Sequence, residues 1–189
     1  MSATEVLDEV KKLSGGKPIL ITLSGGNPAI QPLGTLIAMG KQEGFTFAIE
    51  TQGSIARDWF ADLNYLTLSP KPPSSSTSFE ADALRACIDA AQARGMLDGP
   101  AITLKFPVRD EADLMFADYV RNLHISIPVC LQPVNTTPAE PHPDGVNGVD
   151  IDGLTARYRW LVDEVAKRKW FDVRVLPQWH VHVLSLIHI

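Results

Sequence analysis

Short runs of β-branched and apolar residues alternate along this chain with longer amphipathic stretches. Runs such as Ile19-Leu20-Ile21-Thr22-Leu23 are apolar at nearly every position, which is typical of strands buried on both faces of a parallel sheet. The predicted strands are 18–23, 45–50, 65–68, 101–106, 127–132 and 173–176. The predicted helices are 4–13, 32–44, 54–63, 78–94, 110–123 and 151–169. This order predicts an α/β fold of parallel strands joined by helices, with right-handed crossovers.

Two architectures fit that order, an open doubly wound sheet and a full or partial barrel. In both, ligands bind at the C-terminal ends of the strands. The residues that directly follow each predicted strand are therefore the candidates for a binding site.

The composition excludes several classes of protein and of partner. The chain has 189 residues, of which 45% are hydrophobic and 21% charged, so disorder, collagen and coiled coil are excluded as descriptions of the whole chain. Its 17 basic and 22 acidic side chains leave a formal charge of −5, which gives no basic surplus for nucleic acid. No apolar run approaches the ~20 residues that span a bilayer. We expect no nucleic-acid or membrane partner, and the two lone cysteines indicate a reducing compartment, the cytoplasm.

Polar residues follow the first two strands. Paired Gly25 and Gly26, between Ser24 and Asn27, permit a sharp turn that favours a carboxylate or phosphate, although a plain strand-to-helix turn has the same pattern. Glu50, at the end of the second strand, is suited to accept hydrogen bonds from a ribose or an amine, or to cap a helix.

Further candidates follow the later strands. Lys71 lies between prolines, so its position is stiffly set, although a loop lysine is usually solvated. His180 and His182 alternate near the C-terminus and are expected to be ordinary core or surface residues, since no third metal ligand is suitably spaced. Nucleophile-elbow, Walker A, dinucleotide-binding and zinc-protease motifs do not occur.

The string 23–28, Leu-Ser-Gly-Gly-Asn-Pro, resembles the Gly-Gly-Glu-Pro motif of radical S-adenosylmethionine enzymes, in which it binds the methionyl amino group. Four further strings narrow the resemblance to the 7-carboxy-7-deazaguanine synthase family, and the similarity as a whole runs from about residue 17 to residue 183. They are Glu-Thr-Gln-Gly at 50–53, Ser-Pro-Lys-Pro-Pro at 69–73, Gln-Pro-Val-Asn at 132–135 and Pro-Gln-Trp-His at 177–180.

The resemblance implies a parallel-stranded partial (β/α) barrel of the radical S-adenosylmethionine type. The family uses a 4Fe–4S cluster and S-adenosylmethionine to form a 5′-deoxyadenosyl radical, with magnesium assisting. The radical abstracts hydrogen from a carboxylated tetrahydropterin, and ring contraction with loss of ammonia yields 7-carboxy-7-deazaguanine, a precursor of queuosine. The resemblance also implies a homodimer for the full-length protein.

The resemblance also implies roles for individual residues, although it assigns no catalytic residue. Ser24 and His180 would contact the substrate. Asn27 stands where the motif has glutamate, which removes a charge. The S-adenosylmethionine contacts would be Gly25, Gly26, Asn27, Glu50, Ser69, Pro70, Lys71, Gln132, Pro133, Val134 and Asn135.

The chain departs from the family in its cysteines. The family's cluster is held by three cysteines in a loop after an earlier strand, whereas Cys87 falls on a predicted helix and Cys130 in a predicted strand, where both are typical small buried hydrophobes. The first strand here matches the family's second. We therefore expect residues 1–183 to be an incomplete radical S-adenosylmethionine domain without the first strand, the cluster loop and the magnesium residues, inactive alone and poorly soluble because an apolar sheet edge is exposed.

Residues 184–189, Leu-Ser-Leu-Ile-His-Ile, match one reading frame of a sequencing-library adapter and are expected to be an artefactual tail, with a native apolar strand end as the alternative. Three functional alternatives stay open. The chain is a fragment of a deazaguanine synthase, a radical S-adenosylmethionine activating enzyme of another kind, or a cluster-free domain that binds S-adenosylmethionine.

Overall fold

The computed structural model describes residues 1–72, 74–75, 78–135 and 150–178. These residues form two compact units. The first contains Met1–Pro70 and Phe79–Thr103, and the second contains the described residues of Lys71–Ser78 and Leu104–Ile189. One strand, Ala101–Val108, crosses from the first unit into the second.

The first unit places three parallel strands beside three helices. Strand β1 pairs with β2, with Leu20 opposite Thr46, and β2 pairs with β3, with Ala48 opposite Tyr65. The elements are α1 (Ala3–Ser14), β1 (Leu20–Leu23), α2 (Gly34–Gln42), β2 (Thr46–Thr51), β3 (Tyr65–Leu68) and α3 (Ala81–Ala91), with short 3₁₀ helices at Pro28–Ile30 and Asp58–Asp62.

The second unit repeats the pattern. Strand β4 pairs in parallel with β5, with Leu104 opposite Val129, and β5 pairs in parallel with β6, with Val129 opposite Val173. Its elements are the part of β4 (Ala101–Val108) from Leu104 onward, α4 (Glu111–Leu123), β5 (Val129–Pro133), α5 (Ile151–Lys167) and β6 (Val173–Val175). The predicted α/β class with parallel strands is confirmed.

Local sequence signals set the helix ends. Ser2 and Glu5 form a reciprocal capping box at the start of α1, and Gly15 ends that helix with a φ of 62°. Helix α4 begins at the Asp110 cap, whose side chain accepts a hydrogen bond from the Asp113 N–H, and α5 begins at the corresponding cap Asp150. These contacts satisfy donors that a helix start otherwise leaves unpaired.

Close packing fixes the helices on the strands within each unit. A Cβ on Gly40 of α2 would lie 2.5 Å from the Phe47 ring of β2, so only glycine permits this approach. In the second unit, the rings of Phe106 on β4 and Phe116 on α4 meet edge to face with centroids 6.0 Å apart.

The expectation that the strands are buried on both faces is wrong for every described strand except β5. Leu20 of β1 is 48% exposed, and β2 alternates buried and half-buried residues. For β1 one reason is position, because it pairs with β2 alone among the described strands, which leaves its other edge uncovered there. Strand β5, between β4 and β6, is buried at four of its five residues, as predicted.

The helix predicted over 54–63 is also wrong in type and length. Only Asp58–Asp62 is helical, and as a 3₁₀ turn. Arg57, just before it, is extended (φ −139°, ψ 135°) because its guanidinium donates to the carbonyl oxygens of Ala29 and Ile30, at 2.6 and 3.3 Å.

In the described part of the chain, none of the helices combines the length and the apolar character that crossing a bilayer requires.

Candidate functional site

The turn after β1 is open and rich in unpaired backbone donors. Gly25 and Gly26 adopt φ values of 93° and 56°, which side-chain-bearing residues rarely take. Ser24, Gly25 and Gly26 are all exposed, and a Cβ on either glycine would meet nothing within 4 Å. No described residue accepts a hydrogen bond from the N–H of Gly25 or Gly26. A loop of this kind is suited to receive an anionic ligand group.

A cavity of about 550 Å³ lies over this turn. Its lining holds no ionisable side chain, so the protein groups in it offer hydrogen bonds and apolar contact without a net charge. The lining residues are Thr22, Leu23, Ser24, Gly25, Gly26, Asn27, Pro28, Ile30, Gln31 and Leu33.

The Asn27 side chain connects this turn to the end of β2. Its amide oxygen accepts a hydrogen bond from the Thr51 hydroxyl at 2.6 Å, and its amide nitrogen donates to the Ser54 hydroxyl at 3.2 Å. Thr51 is the last residue of β2 and is 2% exposed. Two residues from a second segment therefore hold the half-buried Asn27 amide.

The end of β2 is in turn held against β3. The Thr51 carbonyl accepts a hydrogen bond from the Ser69 N–H at 2.7 Å. Gly53, with a φ of 73°, lies so close to α3 that a Cβ there would be 2.8 Å from Leu84 Cδ1. The predicted residues Ser69 and Pro70 are buried directly after β3. The structure thus connects Asn27, at the end of the glycine turn, to Ser69 through hydrogen bonds to Thr51.

Glu50 is half-buried and is the penultimate residue of β2, not its last. In register it lies opposite Thr67 of β3. The prediction ended this strand one residue early, and so it missed Thr51.

In the second unit, the predicted residues Gln132 and Pro133 are the last two residues of β5, and Val134 and Asn135 follow it. Pro133 ends β5, and the Val134 N–H donates to the Val108 carbonyl at 3.0 Å. The Gln132 amide nitrogen donates to the Pro177 carbonyl at 3.2 Å, and Arg157 of α5 donates to the Val134 carbonyl at 2.6 Å.

Two predicted residues remain. Lys71 is half-buried and belongs to the second unit, and His180 lies outside the described residues.

Sequence reasoning missed Thr51, Ser54 and Arg57. Thr51 and Ser54 sit within and beside the string 50–53 that the resemblance singled out, but their partner Asn27 is 24 and 27 residues away in the chain. Nothing in the local pattern signals a hydrogen bond across that separation.

The cysteines do not fit an iron–sulfur cluster, which needs several thiolate ligands. Cys87, in α3, is fully buried, and burial raises the pKa of its thiol to about 11, so it stays protonated. Cys130, in β5, is 6% exposed, and the chain has no third cysteine. Over the described ranges no three His, Cys, Asp or Glu side chains are grouped to hold a metal ion.

Comparison with known proteins identifies the family of the chain. No family model matches the chain. It is 34% identical to the 7-carboxy-7-deazaguanine synthase of Bacillus cereus, over 97% of this chain and 74% of that protein. It is 36% identical to the 7-carboxy-7-deazaguanine synthase of Bacillus subtilis, over 95% of this chain and 72% of that protein.

Among solved structures, the fold matches QueE from Escherichia coli with a TM-score of 0.63 at 19% identity, covering 94% of this chain and 64% of that one. It also matches SuiB of Streptococcus suis with a TM-score of 0.60 at 11% identity, covering 94% of this chain and 43% of that one. These likenesses confirm the fold predicted from the resemblance. The identities of 34% and 36%, over nearly three quarters of each relative, show that the chain belongs to the 7-carboxy-7-deazaguanine synthase family.

Proposed function

We propose that these 189 residues form the S-adenosylmethionine-binding part of an enzyme that produces 7-carboxy-7-deazaguanine. The observation that carries the proposal is the open Gly25–Gly26 turn, whose N–H groups are unpaired within the described structure and lie beneath a cavity of about 550 Å³. The two Bacillus relatives, both 7-carboxy-7-deazaguanine synthases, support the reaction. When bound, S-adenosylmethionine supplies an adenosyl group on an activated sulfonium centre.

The proposed contacts follow from the chemistry of that ligand. Its methionyl carboxylate needs hydrogen-bond donors, which the turn offers as the backbone N–H groups of Gly25 and Gly26, and its methionyl ammonium group would lie beside Asn27. Its ribose hydroxyls need acceptors, and Glu50 is half-buried near the end of the adjacent strand. By resemblance, the remaining contacts are Ser69, Pro70, Lys71, Gln132, Pro133, Val134 and Asn135.

We propose a carboxylated tetrahydropterin as the second ligand, with Ser24 as a contact because it is exposed on the cavity lining. His180 is proposed on resemblance alone. The resemblance is likewise the support for magnesium, for a homodimeric full-length protein and for a cytoplasmic location.

These 189 residues do not supply the thiolates that the family's cluster requires, so we expect them to bind the cofactor without forming product. The same cysteine content favours a second candidate, a domain that binds S-adenosylmethionine with no cluster at all. Anaerobic incubation of the chain with iron and sulfide separates the candidates from an ordinary family member. We expect no iron–sulfur absorption and no pterin turnover, and turnover with these residues alone would contradict both candidates.

The binding half of the proposal is tested by calorimetric titration of S-adenosylmethionine into the chain and into Gly25→Val. A β-branched residue at a φ of 93° strains the turn, which costs about 1–3 kcal/mol, so we expect binding to weaken about 5- to 150-fold. The matched control is Gly16→Val, because Gly16 also has a positive φ of 75° and open space around it, after α1. Saturable binding that both variants retain equally would overturn the assignment of the ligand to this turn.

A further inference from the structure

The Gly25–Gly26 turn has no packing of its own to hold it. Both glycines are exposed, and the space where their Cβ atoms would be is empty to 4 Å. Such a turn samples several backbone conformations unless its ends are fixed, and ordering it on binding would weaken affinity. The contacts that fix its ends are therefore part of the site.

Those contacts differ on the two sides of the turn. On the N-terminal side, the turn continues directly from β1, which pairs with β2 through Leu23 opposite Ile49. On the C-terminal side, Asn27 has an extended backbone and its side chain does not cap the 3₁₀ helix Pro28–Ile30. Its amide instead bonds to Thr51 and Ser54.

Thr51 makes the shorter and more buried of these two hydrogen bonds. Its hydroxyl lies 2.6 Å from the Asn27 amide oxygen, against 3.2 Å for the Ser54 bond, and it is 2% exposed whereas Ser54 is exposed. Its side chain is β-branched, which stiffens χ1, and its own carbonyl is bonded to the Ser69 N–H at 2.7 Å. The hydroxyl is thus held in place before any ligand arrives.

We infer that Thr51 is a positioning residue for cofactor binding. The Thr51 hydroxyl donates to the Asn27 amide oxygen, so the amide NH₂ group points away from Thr51. This fixes the C-terminal end of the glycine turn in its binding conformation. This inference rests on the proposed function. It adds that affinity depends on a residue that does not line the cavity.

The test is calorimetric titration of S-adenosylmethionine into the 189-residue chain and three variants. Thr51→Val keeps the branched shape but removes the hydroxyl and leaves the Asn27 oxygen without its donor, and we expect about five- to tenfold weaker binding. Thr51→Ser keeps the hydroxyl, and we expect it to restore affinity to within about threefold of the natural chain. The matched control is Thr46→Val, at the other end of β2, with affinity unchanged.

A second readout needs no ligand. In amide NMR spectra of the free chain, Thr51→Val should shift or broaden the Gly25 and Gly26 signals, and Thr46→Val should leave them in place. Equal affinities for the natural chain, Thr51→Val and Thr51→Ser would overturn the inference while leaving the proposed function intact. Absence of binding in the natural chain, with the glycine signals still sensitive to Thr51→Val, would overturn the proposed function and the cofactor role of Thr51, and would leave only the positioning of the turn.

Discussion

Asn27 stands where the motif that it resembles has glutamate, and the structure gives this amide a defined setting. Its oxygen and nitrogen are both engaged, by Thr51 and Ser54, and no charged side chain lines the cavity beside it. A neutral residue at this position adds no titrating group of its own to the cavity lining, which holds no ionisable side chain.

Restoring an acid should therefore change binding in a defined direction. In Asn27→Asp the Thr51 hydroxyl still donates to one carboxylate oxygen and the Ser54 hydroxyl is able to donate to the other. We expect the new charge to attract the methionyl ammonium group and to tighten S-adenosylmethionine binding by up to about fivefold, as for an ordinary exposed ion pair. Titration calorimetry at several salt concentrations checks this, since the gain should shrink as salt rises. Weaker binding at every salt concentration would show that the neutral amide itself is required.

Cys87 gives a second prediction at the scale of one residue. Burial raises the pKa of its thiol from an ordinary value of 9.0 to about 11, so the folded state favours the neutral thiol. Stability from this group is fully present below pH 9.0 and is lost as the pH rises towards about 11. We expect the free energy of unfolding to fall over that range, with a smaller slope in Cys87→Ala, measured by urea unfolding at each pH. A maleimide probe that labels Cys87 in the folded chain at neutral pH would contradict the burial on which this rests.

Among the elements, α4 shows how much a single cap contributes. Asp110 accepts a hydrogen bond from the Asp113 N–H, and that bond together with neighbouring Arg109 lowers the pKa of the Asp110 carboxyl. Asp110→Ala should destabilise the chain by about 1 kcal/mol at neutral pH. This loss should vanish at acidic pH, because the carboxylate's contribution disappears as the pH falls through its lowered pKa.

The control for that measurement is Glu80→Ala. Glu80 occupies the same cap position on α3 but makes no side-chain cap bond, so its removal should have little effect on urea unfolding. Equal losses in the two variants would mean that the Asp110 bond contributes nothing specific.

The elements also show where sequence reasoning succeeds. The glycine turn was predictable from the local sequence, because two adjacent glycines after an apolar run permit the sharp backbone turn that ends a strand. The parallel strands followed from their alternation with helices. The exposure of β1 was not predictable, because periodicity does not reveal which strand lies at an edge. The bond between Asn27 and Thr51 was not predictable either, since it depends on the register that places Leu23 opposite Ile49.

For the chain as a whole, the uncovered edge of β1 predicts association. Ile19 and Leu20 are 46% and 48% exposed, and β1 has one partner strand within the described residues. Exposed apolar edges template further strands, and lysine on an edge discourages this. Leu20→Lys should lower light scattering in concentrated solution. The control Tyr65→Lys alters a residue that is 52% exposed on β3, which pairs with β2 and is preceded by Asn64, whose carbonyl accepts a hydrogen bond from the Ala101 N–H, and it should have less effect. Equal improvement in both would show that general charge, and not the edge, is responsible.

The central claim is that S-adenosylmethionine binds over the turn after β1. The most direct measurement is an NMR titration of the ligand into the isotopically labelled chain, followed at each backbone amide. We predict saturable shifts at Gly25, Gly26 and Asn27, because the N–H groups of the two glycines are unpaired within the described structure and line the cavity. Saturable shifts confined to other residues, or no shifts at all, would contradict the claim.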